Sequence, residues 1–225
     1  MNSQKKDPTL RSILLSLFGF VLLWAIVTDA WGYSSHLAIN GGSYVYAFLS
    51  RLIWVAPAFW LISRHSAFLI FRKNTLLSRP VWNRSLVIGL AVSLFIPFAG
   101  MLVTHGGFWI NTSVSIPLEI AKIMMVGFVE EIVFRGWGYN ALAASVTDQK
   151  AILYATVFFV LLHWPAYFVR YYRFGTMDVS SMLIQSFSAA VCGVWFCWLL
   201  KKGKSLWNPI IVHIVYDVFV TLLVG

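Results

Sequence analysis

The chain has 225 residues, of which 60% are hydrophobic and only 11% are charged, with a net charge of +9. This composition excludes an ordinary water-soluble domain, because the apolar residues also come in long runs. The positive charge does not indicate a nucleic-acid partner, since the basic residues lie between the apolar runs. We therefore expect one integral membrane domain over residues 1–225, with the lipid bilayer as its surroundings.

Seven apolar runs follow one another along the chain, each about 20 residues long, enough to cross a ~30 Å hydrocarbon core as a helix. They occupy residues 13–33, 45–63, 86–104, 114–135, 151–169, 181–200 and 206–224. The pattern predicts an all-α, polytopic transmembrane bundle of about seven spans. The last four runs, residues 114–224, contain most of the ionisable residues inside spans, and we expect them to enclose an inward-facing polar cavity.

The basic residues predict the orientation of this bundle. If the N-terminus lies inside, thirteen of the 17 Lys and Arg residues fall in the inner segments and two, Arg170 and Arg173, in the outer loops. Such an excess of positive charge marks the cytoplasmic side of a membrane protein. The N-terminus is therefore predicted to lie inside.

Two adjacent carboxylates and an arginine lie at the end of the fourth run. Glu131 and Arg135 are four residues apart, so on a helix they are neighbours within reach of an ion pair. Glu130 points about 100° away from Glu131 and has no such partner. Because isolated ionisable groups are costly inside a bilayer, Glu130 is a candidate functional residue.

Two later runs contribute imidazole groups. The fifth run contains His163, four residues after Phe159, and the seventh contains His213, four residues before Asp217. In the predicted topology Glu130, His163, His213 and Asp217 can all reach one cluster in the inner half of the bundle. A carboxylate there could take a proton from an attacking water while histidines orient the water or stabilise an oxyanion. Alternatively, two histidines and a carboxylate could bind zinc, although the H-E-x-x-H signature is absent.

Each of these residues also has a structural interpretation. A histidine inside a membrane helix is often an interhelical hydrogen-bonding residue, and Glu131 with Arg135 is more often a structural pair than a catalytic one. Gly127 and Gly193 are expected to allow close approach of helices.

The three motifs in this order identify a class of protein more specifically than any one motif does. Glu130-Glu131-x-x-x-Arg135, Phe159-x-x-x-His163 and His213-x-x-x-Asp217, on three separate spans, resemble the CAAX protease and bacteriocin-processing family. Its members are intramembrane metalloproteases, also called Abi proteins and type II CAAX prenyl endopeptidases. The resemblance covers roughly residues 118–220, so residues 114–224 become the expected catalytic core.

The resemblance implies a role for each residue. Glu130 would be the general base, Glu131 the partner of Arg135, and His163 a residue that binds or activates the water. His213 and Asp217 would support the oxyanion or the cluster. The resemblance leaves open whether Glu130, His163 and His213 hold Zn or whether the enzyme works without a metal. It also implies a peptide or prenylated protein as substrate.

The shortness of the chain favours a bacterial cytoplasmic membrane as its location. Two other functions remain compatible with the sequence. One is a non-catalytic bacteriocin-immunity or membrane scaffold protein that keeps the motifs as a polar core. The other is a small transporter, since Glu and His inside spans also mark ion pathways.

Overall fold

The computed structural model describes residues 7–34, 42–113 and 115–225, with side chains for 7–28, 49–113 and 115–225. All regular elements in these ranges are helical, which confirms the predicted all-α fold. The α-helices are α1 (Leu10–Ser34), α2 (Gly42–Arg64), α3 (Lys73–Leu76), α4 (Arg84–His105), α5 (Ile116–Glu131), α6 (Asn140–Ser145), α7 (Asp148–Val169), α8 (Val179–Gly203) and α9 (Trp207–Leu223). A π-helical segment, π1 (Ile132–Tyr139), joins α5 to α6, and a second, π2 (Arg170–Phe174), extends α7.

The predicted apolar runs each lie on one long helical stretch, with α5 and π1 together carrying the fourth. Lys5, Lys6 and the predicted start of the fourth run at Val114 lie outside the described residues. Within the described chain, four helices are long and apolar enough to cross a membrane: Leu10–Thr28, Arg84–His105, Asp148–Phe174 and Val179–Gly203. The apolar helix α9 is shorter. The chain is therefore a polytopic membrane protein, and about seven spans agree with its helices.

Polar side chains define where the helices begin and end. Asn83 precedes α4 and accepts the backbone N–H of Leu86 at 3.0 Å, while Asp178 precedes α8 and accepts that of Ser181 at 2.6 Å. Each bond satisfies one N–H that a helix start leaves without a partner. The Asp178 carboxyl lies outside the spans, and the backbone bond from Ser181 lowers its pKa.

The segment between α2 and α4, residues 65–83, folds back onto one end of the bundle. The Asn140 side chain binds both the N–H and the carbonyl of Phe71, at 2.8 and 2.9 Å. The Asn208 side chain binds both groups of Val81 in the same way, at 2.9 and 3.0 Å. Since both asparagines are fully buried, this segment closes the end of the bundle from which α9 starts.

Packing brings π1 into the centre of the protein. Trp137 is 1% exposed and Phe134 and Tyr139 are fully buried, and the Trp137 indole donates to Ser16 Oγ of α1 at 2.8 Å. The helix pairs that pack most extensively are α4 with α9, α7 with α8, α1 with α7 and α5 with α9. This packing places the ends of α5 and the middles of α7, α8 and α9 around one space.

Candidate active site

A cavity of about 530 Å³ lies between α4, α5, α7, α8 and α9. Its lining includes the predicted residues Glu130, His163, His213 and Asp217, together with apolar side chains and a few other polar ones. The three motif-bearing spans therefore contribute to one cavity, an arrangement that the sequence left geometrically possible.

Glu131 and Arg135 form an ion pair beside this cavity. Arg135 Nη1 donates to Glu131 Oε1 at 3.0 Å, and the two side chains are 1% and 0% exposed. Arg135 Nη2 donates to the Gly193 carbonyl at 3.3 Å, and its guanidinium lies 4.1 Å from the Phe159 ring and 5.1 Å from the Phe196 ring. A buried charge is tolerated when it is paired and hydrogen-bonded in this way.

The π-helical geometry of π1 begins directly after Glu131. Such segments are rare and often occur at functional sites. Here the segment carries Arg135, whose guanidinium reaches both back to Glu131 and across to α8.

His213 connects this ion pair to the cavity. Its Nδ1 lies 2.9 Å from Glu131 Oε1 and donates a hydrogen bond to that carboxylate. Its Nε2 lies 3.4 Å from Asp217 Oδ2 and 3.9 Å from Glu130 Oε2. The ring stacks on Phe196 with centroids 4.6 Å apart. The ring orientation is therefore defined by an anion on one side and an aromatic face on the other.

His163 is held by its own helix. Its Nδ1 lies 2.8 Å from the Phe159 carbonyl, and because a carbonyl oxygen only accepts, Nδ1 carries the proton. Nε2 is then the nitrogen with a free lone pair. The ring also packs edge-on against Phe159, 5.0 Å between centroids, so the imidazole is oriented before any substrate binds.

Glu130 differs from its neighbour in both exposure and partners. Its side chain is 13% exposed and lines the cavity, whereas that of Glu131 is fully buried behind it. Its Oε2 lies 3.9 Å from the Nε2 of His213. Of the two adjacent carboxylates, Glu130 is the one that a molecule in the cavity can reach.

The reacting groups lie nearer one end of the bundle. His213 is in the second turn of α9, on the order of 9 Å along the helix axis from Trp207. The cavity lining continues from there through Val220 and Val224, toward the other end of α9. The end nearer His213 is the one closed by residues 65–83 and flanked by basic residues such as Arg84 and Lys201.

The predicted zinc ligands Glu130, His163 and His213 have suitable donor atoms, and both histidines have Nδ1 occupied by protein groups. Ligating histidines usually show such a bond on the other ring nitrogen. However, among the described residues no three His, Cys, Asp or Glu side chains are grouped closely enough to hold an ion. The described side chains therefore do not fit a metal ion in these positions.

Four further residues belong to the site but were not singled out as site residues from the sequence. Phe196 and Gly193 of α8 contact Arg135, and Tyr167 and Gln185 line the cavity. Tyr167 has a sequence signal, because it follows His163 by four residues and so shares its helix face. For the α8 residues no spacing connects them to the motifs, which lie on other spans.

Comparisons with known proteins agree with the motifs. Residues 112–219 match the family model described as type II CAAX prenyl endopeptidase Rce1-like. A curated relative, CAAX prenyl protease 2 of Methanococcus maripaludis, is 28% identical over 138 residues, 58% of this chain and 50% of that protein. The chain thus spans about half the length of the curated relative that it matches. No solved structure matches the chain. The predicted resemblance is confirmed: the motif-bearing part of this chain, residues 112–219, is similar to the type II CAAX prenyl endopeptidase Rce1-like family.

Proposed function

We propose that this chain is an intramembrane endopeptidase that hydrolyses a peptide bond of a membrane-associated peptide or prenylated protein. The observation that carries the proposal is the division between the two adjacent glutamates. Glu131 is fully buried and bound by Arg135 and His213, whereas Glu130 faces the cavity 3.9 Å from His213 Nε2.

In the proposed reaction Glu130 is the general base. Its carboxylate takes a proton from a water molecule, and the water oxygen forms a bond to the carbonyl carbon of the peptide. His163 has its Nδ1 held by the Phe159 carbonyl. Its Nε2 accepts a hydrogen bond from the other O–H of the same water and so orients that water. General base catalysis of this kind contributes about 10²- to 10⁴-fold to a rate.

His213 is the proposed oxyanion donor. Its Nδ1 is bound to Glu131, so its Nε2 side faces the cavity beside Asp217. An N–H at Nε2 can donate a hydrogen bond to the carbonyl oxygen as negative charge develops there, while the proton stays on the nitrogen. When the carbon–nitrogen bond breaks, Glu130 returns its proton to the leaving amine, which restores the carboxylate for the next cycle.

We further propose that hydrolysis occurs near the cytoplasmic leaflet, with the N-terminus inside and a bacterial cytoplasmic membrane as the location. The support is the set of basic residues, such as Arg84 and Lys201, at the end of the bundle nearer His213. An excess of Lys and Arg favours the cytoplasmic side. Cysteines introduced singly at Ser78 and at Thr176, at opposite ends of the bundle, should test this. In sealed inverted vesicles an impermeant maleimide should label only the Ser78→Cys variant.

The function is tested with a quenched-fluorescent peptide library, half of it farnesylated, incubated with purified protein in detergent. We expect the wild type to cleave some members and Glu130→Ala to cleave none. Peptide cleavage that persists in the Glu130→Ala variant would contradict the proposed mechanism. Biological activity that survives both Glu130→Gln and His163→Ala would instead support the non-catalytic immunity or scaffold function.

Zinc dependence is tested in the same experiment by adding a chelator. The zinc alternative predicts that cleavage stops and returns with added zinc, with Glu130, His163 and His213 as ligands after rearrangement. The metal-independent alternative predicts unchanged cleavage.

A further inference from the structure

Tyr167 of α7 is a buried tyrosine in the wall of the cavity. Its side chain is 6% exposed, it lines the cavity with His163 and Glu130, and its ring lies 6.0 Å from that of His163. Among the described residues no group forms a hydrogen bond with its hydroxyl. A tyrosine hydroxyl in a mostly apolar site usually has a hydrogen-bond partner, so a molecule in the cavity is expected to supply it.

Gln185 of α8 is a second polar side chain in the cavity wall. It is half-buried and lines the cavity together with Tyr167. An amide side chain both donates and accepts hydrogen bonds, and a phenol donates one strongly. A peptide main chain offers the complementary groups, one N–H and one carbonyl per residue. The remainder of this wall is largely apolar, as in most sites that bind a ligand by a few oriented bonds.

The distance from the reacting groups defines which part of a substrate these side chains can reach. Tyr167 lies one helical turn beyond His163, about 6 Å along the axis of α7. An extended peptide advances about 3.4 Å per residue. A peptide that runs along the cavity with its scissile bond at Glu130 would therefore place a main-chain group about two residues away beside the Tyr167 hydroxyl.

We propose that Tyr167 and Gln185 form a binding site for the main chain of an extended peptide substrate, about two residues from the bond that is cleaved. This inference rests on the proposed function and names residues that hold the substrate in position. Tyr167 donates to a substrate carbonyl, and Gln185 pairs with an N–H and a carbonyl of the same strand.

The test measures binding without hydrolysis. The peptide library is passed over immobilised Glu130→Gln protein, and the best-retained peptide is labelled with a dye as the probe. Affinity is then measured for Glu130→Gln alone and with Tyr167→Phe or Gln185→Met added. We expect each added change to weaken binding about threefold to tenfold, the range for loss of one hydrogen bond. In the wild-type background the same changes should raise KM more than they lower kcat.

Matched controls come from α7 and its extension π2. Tyr171→Phe removes a hydroxyl from a 38% exposed tyrosine one turn further on, and Gln149→Met changes an exposed glutamine in the first turn of α7. Neither should change the affinity. Peptide analogues with one carbonyl at a time reduced to methylene identify the bond: Tyr167→Phe should have no further effect on one analogue and its full effect on the others.

The outcomes separate this inference from the proposed function. Equal affinity of Tyr167→Phe and its parent, or an equal loss for every analogue, would overturn the binding site even if the wild type cleaves peptides. Retention that weakens with Tyr167→Phe would support the site even if no peptide is cleaved. If no peptide is retained at all, the binding site is rejected.

Discussion

His213 Nδ1 lies 2.9 Å from the same Glu131 oxygen that accepts a hydrogen bond from Arg135 at 3.0 Å. One carboxylate oxygen thus joins α5, π1 and α9 at the back of the cavity. This arrangement gives Glu131 a structural role, in agreement with the proposed catalytic role of the adjacent Glu130. It also couples the position of the proposed oxyanion donor to a buried ion pair.

Removing Arg135 should destabilise the protein strongly. Arg135→Met leaves the carboxylate of Glu131 buried without its cation, and breaking a buried pair in this way costs about 3–5 kcal/mol. The free energy of unfolding in detergent, measured with a denaturant, should fall by that amount, and cleavage should be lost with it.

A double variant separates lost charge from lost packing. Glu131→Gln combined with Arg135→Met removes both charges and should recover part of the stability lost by Arg135→Met alone. A loss below about 1 kcal/mol for the single variant, the level of an exposed pair, would contradict the structural role of the buried pair.

Gly127 should be sensitive to a single added methyl group. A Cβ at this position would lie 2.9 Å from Ile214 Cγ1 and 3.6 Å from His213 Cγ. Gly127→Ala should therefore move α9 away from α5 and lengthen the contact between His213 and Glu131. We expect kcat to fall about tenfold or more, since small misplacements of reacting groups have large effects.

Gly19→Ala is the matched control, because no heavy atom lies within 4 Å of a Cβ there. A helical alanine in place of glycine should leave activity unchanged and raise stability by about 0.5–1 kcal/mol. Equal activity of Gly127→Ala and Gly19→Ala would show that the contact between α5 and α9 does not position His213.

The segment over residues 65–83 should open when Asn208, whose side chain holds Val81 and is called the clamp, is replaced. Asn208→Ala deletes the bonds to both backbone groups of Val81, and a buried polar group without a partner costs about 1–3 kcal/mol. Chymotrypsin should then cut faster after Trp82, which follows Val81 and is 75% exposed, and mass spectrometry of the fragments measures the rate. Asn74→Ala, an exposed residue of the same segment, should keep the wild-type digestion rate. Equal rates for the two variants would argue against the clamp.

Asp217 should tolerate an amide but not an alkyl side chain. In the wild type, Asp217 Oδ2 lies 3.4 Å from His213 Nε2. The amide of the Asp217→Asn variant still offers an oxygen to this nitrogen, so kcat/KM should stay within about tenfold of the wild type. Asp217→Leu removes the partner and should lower kcat about 10- to 10²-fold through misorientation of His213. Similar rates for both variants would show that Asp217 does not orient the imidazole.

The sequence predicted those features that depend on spacing along one helix. The long apolar runs predicted the spans, and the four-residue spacing of Glu131 and Arg135 predicted neighbours that lie 3.0 Å apart. The contact of His213 with Glu131 could not be predicted, because it joins residues 82 positions apart and depends on how α9 rotates against α5. The helix pairing that places Phe196 against Arg135 is a matter of tertiary packing for the same reason.

The central claim is that Glu130 performs the chemistry while Glu131 holds the structure. The most direct measurement compares Glu130→Gln with Glu131→Gln, recording both the free energy of unfolding and kcat/KM on one cleaved peptide. The account predicts that Glu130→Gln keeps wild-type stability and loses about 10²- to 10⁴-fold in kcat/KM, whereas Glu131→Gln loses stability. Cleavage by a folded Glu130→Gln protein at a rate within tenfold of the wild type would contradict the account.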